Sequence, residues 1–134
     1  MNILVVDAQG GGIGKQLVAS IKKNLPKAVI TAVGTNSIAT SAMLKAGADN
    51  AATGENAIVV NSRNADAIVG PIGIVIADAL LGEITPAMAK AISQSGAKRI
   101  LIPINSCNNF VVGVSDLNVG KLIQDVILEL QKLK

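Results

Sequence analysis

The segment NILVVDAQGGGIGKQ, residues 2–16, begins as a run of apolar side chains ending on Asp7. It passes at once into a turn carrying four glycines, Gly10, Gly11, Gly12 and Gly14. A short apolar run closed by an acid reads as a buried strand. Beyond the turn, Ile13, Leu17, Val18, Ile21 and Leu25 recur at helical spacing until Pro26 stops the helix. Strand, glycine turn and helix in that order are the first half of a βαβ unit, which implies a parallel sheet.

The pattern repeats along the chain. AVITAV (28–33) predicts a second strand, and Thr35, Asn36 and Ser37 offer an N-cap to a helix of small residues that ends near Ala46, with Gly47 as its stop. Residues 55–63 predict a helix, and DAIVG (66–70) a third strand. Pro71 can occupy the first position of a helix holding Ile74 to Leu81, and Thr85–Pro86 starts another that Gly96 ends. RILIPI (99–104) predicts a fourth strand. FVVGV (110–114) predicts a fifth, and the short polar link NSCNN before it predicts an antiparallel edge strand. Leu122, Ile123, Val126, Ile127, Leu130 and Leu133 make the apolar face of a last helix. No linker, repeat or low-complexity tract interrupts the chain. The expectation is one domain over 1–134: an α/β, three-layer Rossmann-like or flavodoxin-like sandwich with a mostly parallel sheet of about five strands.

In such folds ligands sit outside the carboxyl ends of the strands, where the glycine turn lies. A turn there aims backbone N–H groups and the positive end of a helix dipole at a ligand, and glycine lets a phosphate approach closely. The turn departs from two phosphate motifs. In G-x-G-x-x-G counted from Gly10 and Gly12, the third glycine is replaced by Lys15; in the P-loop pattern, Gln9 and Gln16 stand where a glycine and a Ser or Thr are required. Ala8, Gly12, Ile13 and Gly14 resemble the GxxxGIG turn of short-chain dehydrogenases, with Ala8 in place of its first glycine. The alternative is a tight turn whose glycines serve only helix–strand packing; four of them exceed what a turn alone requires. The candidate binding residues are Asp7, Gln9, Gly10, Gly11, Gly12, Ile13, Gly14 and Lys15, together with Thr35, Asn36 and Ser37 at the end of the second strand. Lys15 either reaches a phosphate or is solvated. Asp7 either holds Mg²⁺ or a ribose hydroxyl, or accepts hydrogen bonds from the turn, and the second role is the one favoured. Where NAD-specific sheets carry an acid at the end of the second strand, this chain has VGTNS, so those side chains either meet a ribose or 2′-phosphate or cap a helix.

Elsewhere the polar residues read more plainly as structure. Arg63, in TGENAIVVNSRN (53–64), either clamps an anion or ends a surface helix; the asparagines of INSCNN (104–109) either read a polar ligand or form a turn. Cys107 is read as a small semi-buried thiol, because the chain has no His to activate it. Missing residues exclude chemistry. Without Tyr there is no Tyr–Lys pair of short-chain dehydrogenases; without His there are no His-based triads or ordinary zinc sites; without Trp or Tyr, flavodoxin-style stacking on a flavin is not expected. The third strand ends in IVGP, without a phospho-acceptor acid. No metal site is expected, and catalytic residues are not assignable.

The totals fit one ordinary domain with a core of its own. Half of the 134 residues are apolar but only Phe110 is aromatic, so the core is built from Val, Ile, Leu and Ala. A mean hydropathy of +0.52 requires either a well-covered sheet or apolar surface buried between copies. The segment from Gly70 to Pro86 is the candidate, with Gly73, Ala77 and Ala79 allowing close approach in a homodimer. The net charge of +3 is scattered; Lys22, Lys23, Lys132 and Lys134 close helices, and no basic stripe with aromatics suggests nucleic acid. One cysteine, no basic leader and an apolar stretch (65–81) broken by Asp66, Pro71, Gly73 and Asp78 predict a cytoplasmic protein without a membrane span.

The combination of VDAQGGGIGKQL (6–17), GTNSIATSAMLKAGA (34–48), ATGENAIVVNSRNADAIVGPIGIVIADALLGEITP (52–86) and ILIPINSCNN (100–109) resembles a family of small bacterial proteins of unknown function, seen mainly in anaerobic Firmicutes. The resemblance covers essentially the whole chain and implies a bacterial cytoplasmic protein. It carries no activity or site residue; Ala8 stands where the family is expected often to have glycine. From the residues themselves, the leading expectation is a sensing or regulatory domain that takes a nucleotide or dinucleotide, NAD(P) or another, by its phosphate. The alternatives are an enzyme acting on a nucleotide or phosphorylated metabolite through Lys15, Asp7 and Mg²⁺, and an interaction module working through Ile72 to Leu81.

Overall fold

Strand β1 (Asn2–Asp7) is apolar from Ile3 to Val6 because both of its faces are covered. The computed structural model describes residues 1–104, 108–114 and 118–133. Alternate side chains of β1 enter two separate cores. Ile3 and Val5 pack with Leu17, Val18 and Ile21 of α1 (Gly12–Asn24) and with Ile123, Val126, Ile127 and Leu130 of α5 (Val119–Gln131). Leu4 and Val6 pack on the other face with Ile58 of α3 (Glu55–Asn61) and Met88, Ala89 and Ile92 of α4 (Pro86–Gln94). Each fully buried Leu or Ile contributes about 1.5–3 kcal/mol.

The sheet has five parallel strands in the order β3-β2-β1-β4-β5, with β2 at Val29–Gly34, β3 at Asn50–Thr53, β4 at Ala67–Pro71 and β5 at Lys98–Ile102. This is a doubly wound α/β sandwich, and the strand order reverses between β1 and β4. Helix α2 (Ser37–Lys45) is capped by Asn36, whose side chain accepts from the Ala39 amide at 2.9 Å, and Gly47 follows in a left-handed conformation. Thr85 caps α4 with Pro86 in its first turn, and Lys22 and Lys23 lie in the last turn of α1. Lys132 is the C-cap of α5; Lys134 lies outside the described residues. Among the described residues no helix is long and apolar enough to cross a membrane.

Three expectations are corrected. The antiparallel strand over 110–114 does not form: Phe110 and Val112 are among the most exposed apolar side chains, and Val112–Gly113 is a turn with Gly113 left-handed. The fifth strand is instead Asn50–Thr53, paired parallel to β2. The segment from Ile74 to Leu81 is not a helix. A single 3₁₀ turn (Ile72–Val75) leads into a loop in which Asp78, Leu80, Leu81 and Gly82 are all left-handed. Its apolar residues are buried piecemeal, Ile74 reaching the α3–α4 core from the 3₁₀ turn and Ala79 and Leu80 from the loop. Gly73 and Ala79 are therefore inside the protein and cannot line a helix-to-helix dimer face.

Candidate functional site

At the carboxyl edge of the sheet, the glycine turn follows β1, the Thr35–Asn36 corner follows β2, and the loop over 72–85 follows β4. Asp7, at the end of β1, is only 5% exposed. Its Oδ1 accepts from the Ala8 amide at 2.8 Å and its Oδ2 from the Gly14 amide at 2.7 Å. Burial pushes its carboxyl above the ordinary aspartate range; the bonds from Gly14 and Ala8 oppose that, and the nearby Glu83 charge adds to it. Both oxygens of Asp7 thus fasten its own turn.

The turn is less open than seven consecutive amides would suggest. The Gln9 amide donates to Glu83 Oε1 at 2.9 Å, the Gly11 amide to the Ala8 carbonyl at 3.0 Å, and the Lys15 amide to the Gly11 carbonyl at 2.8 Å. With Gly14 on Asp7, the expected cradle from Gln9 to Lys15 shrinks. No described protein atom accepts from the amides of Gly10, Gly12 and Ile13. These three surround the first turn of α1, where Gly11 is the N-cap and no side chain caps the helix.

The four glycines divide into two pairs. Gly11 has φ +74°, and a Cβ there would lie 2.8 Å from the Ala39 Cα. A Cβ on Gly14 would lie 2.5 Å from the Met43 sulfur and 2.9 Å from the Asp7 Cβ. Those two are required by conformation and by helix–strand packing. Gly10 and Gly12 have neither requirement: a Cβ on either meets nothing within 4 Å, and their φ angles are ordinary.

Glu83 is the residue that the sequence reading missed. Its Oε1 collects three donors: the Gln9 amide at 2.9 Å, Thr35 Oγ1 at 2.6 Å and Asn36 Nδ2 at 2.8 Å. Hydrogen bonding, from Thr35 first, holds its carboxyl below the ordinary glutamate range against a smaller effect of burial. Asn36 Nδ2 also donates to the Gln9 carbonyl at 2.9 Å while its Oδ1 caps α2. Thr35 and Asn36 are therefore directed at Glu83, and the reading of them as direct ligand contacts is revised: their donors are already taken. Asn36 is a helix cap as well.

The remaining candidates separate. Lys15 is exposed, without an acidic partner among the described residues. With Ser37, Ile38, Ser41, Ala42 and Lys45 it lines an open cleft of about 580 Å³ between α1 and α2. Arg63 follows α3 and borders a groove with Gln94 and Ser95 at the end of α4, on the way back to the amino ends of the strands, and does not join the glycine turn. A cleft of about 840 Å³ also lies at that opposite edge, beside Met1, Leu25, Ala28 and Asp66. Asn105, Ser106 and Cys107 lie outside the described residues.

A family model described as "Domain of unknown function (DUF3842)" matches residues 2–134. No curated protein matches the chain in sequence. Among solved structures it is similar to the crystal structure of a dodecameric FMN-dependent UbiX-like decarboxylase from Escherichia coli O157:H7. That likeness has 17% identity and a TM-score of 0.46, over 99% of this chain and 76% of that one.

Proposed function

The chain belongs to the DUF3842 family, and from its own site we propose that it binds a nucleotide or dinucleotide, holding a phosphate on the amides of Gly10, Gly12 and Ile13. One observation carries this reading: Gly10 and Gly12 are glycines at positions where neither the backbone nor the packing asks for one, next to amides with no acceptor among the described residues. Open space above a bare helix start favours an anion. Lys15, exposed one turn into α1, is free to swing toward the same charge. The role is sensing or regulation rather than turnover, because Asp7, the buried acid at the turn, has both oxygens engaged by main-chain amides.

The test is a thermal-shift panel of NAD, NADP, ATP, GTP, FMN and S-adenosylmethionine on wild type and on Gly10→Val and Gly12→Val. A micromolar ligand at millimolar dose should add about 4 kcal/mol to wild-type stability. Both variants should fold normally and lose the shift. A panel in which no compound moves the wild-type transition refutes the proposal, as does a shift that survives both substitutions.

We also propose self-association, on a separate observation. Leu81 is 96% exposed after β4, and Phe110 and Val112 stand out of the segment after the neighbouring β5. Light scattering at high concentration should show a dimer or larger species, and a strictly monomeric mass would rule it out.

A further inference from the structure

Sheets that bind NAD take their ribose-reading acid from the end of the second strand. Here that corner is Gly34-Thr35-Asn36, with no acid, yet a carboxylate stands over it. It arrives from the loop after β4 as Glu83. Three donors from two other segments fix its Oε1, so the carboxylate has a set orientation rather than a mobile one. No described residue donates to Oε2, which is left as an acceptor beside the glycine turn.

We infer that Glu83 is a specificity-determining residue of this site, its Oε2 accepting from a hydroxyl of an unphosphorylated ribose and its charge rejecting a ribose 2′-phosphate. The inference rests on the phosphate-binding reading of Gly10, Gly12 and Ile13. The geometry supports it in two ways. The Gln9 amide joins Glu83 to the turn that would hold the phosphate, so the two lie within one nucleotide's reach. The Thr35 and Asn36 donors favour the anionic form of the side chain, and an anion that accepts a hydroxyl proton repels a phosphate in the same place. Thr35 and Asn36 are then positioning residues that act through Glu83.

Calorimetry of the full chain with two matched pairs of probes tests this. NAD against NADP varies only the 2′-phosphate; ADP against 2′-deoxy-ADP varies only the hydroxyl. Wild type should prefer the free 2′-hydroxyl in both pairs by about tenfold or more, the range expected for a hydrogen bond to a charged acceptor. Glu83→Gln should bring both ratios toward one, weakening NAD and strengthening NADP. Glu83→Asp keeps the charge but withdraws it from Thr35 and Asn36. It should still disfavour NADP while losing the preference for ADP over 2′-deoxy-ADP, and it serves if Glu83→Gln fails to fold. Equal affinities within each pair in wild type overturn the inference. So does a Glu83→Gln variant that changes all four affinities by one factor, which would make Glu83 a general repeller of anions. If those results coincide with a Gly12→Val variant that loses every probe, the phosphate site stands and only the ribose reading falls. Absence of binding by all four probes removes both.

Discussion

The turn after β1 and the loop after β4 meet at one edge of the sheet, yet they hold their carboxylates in opposite ways. Asp7 is enclosed, and the amides that satisfy it belong to its own segment. Glu83 is half-buried, and its donors come from two other segments. Burial governs the first and raises its pKa; donated hydrogen bonds govern the second and lower it. The difference separates a side chain that closes a turn from one that ties three loops together and still has an oxygen to offer.

The same contrast runs through the glycines, where the largest effect is expected. Gly11→Ala forces an L residue into the left-handed region and into the backbone of Ala39, which should cost about 3 kcal/mol. Chemical denaturation would show it, and a near-neutral result would mean that the turn rearranges freely. Gly12→Ala, one residue on, should stay within about 0.5 kcal/mol of wild type or gain slightly, because its Cβ enters open space. Equal losses at the two positions would erase the distinction between packing glycines and ligand-facing ones. Next in size is Asp7→Ala, which leaves the Ala8 and Gly14 amides without acceptors and should lower stability by about 2 kcal/mol.

The smallest effect is the most discriminating. Because the folded pKa of Asp7 is raised, the folded state binds that proton more tightly than the unfolded chain. Stability from this group is present at acid pH and is lost as pH rises from the ordinary aspartate value through the folded one. Glu83 works in reverse: its contribution is present above the ordinary glutamate value and is lost as pH falls through its lowered folded value. Stability measured against pH should therefore change slope in opposite senses in Asp7→Asn and Glu83→Gln. Slopes that move together would show that one environment controls both groups.

The sequence disclosed whatever depends on local periodicity. β1, the glycine turn, α1 and the apolar face of α5 all follow from spacing within one element. β3 was hidden because Asn50-Ala51-Ala52-Thr53 has neither an apolar run nor β-branched bulk, and it forms only because β2 offers it an edge. The segment from Ile74 to Leu81 reads as helix because its apolar content is real while its burial is residue by residue. Glu83 was unreadable for a different reason. Its partners lie 74, 48 and 47 positions away in the chain, and no local pattern encodes a contact of that range. The division of labour among the four glycines was equally invisible, since it depends on where Ala39 and Met43 of α2 come to rest.

The placement of β1 at the centre of the sheet has a consequence for how the molecule is made. Residue 3 leaves the ribosome well before residue 67, its partner on one side, and the strand beyond that begins at Lys98. Until residue 67 emerges, β1 has a bare edge of hydrogen-bonding groups, open to pairing with another nascent chain. Closing a parallel sheet across such separations is slow, so production of this protein should be more sensitive to crowding and temperature during synthesis than the finished domain is afterwards.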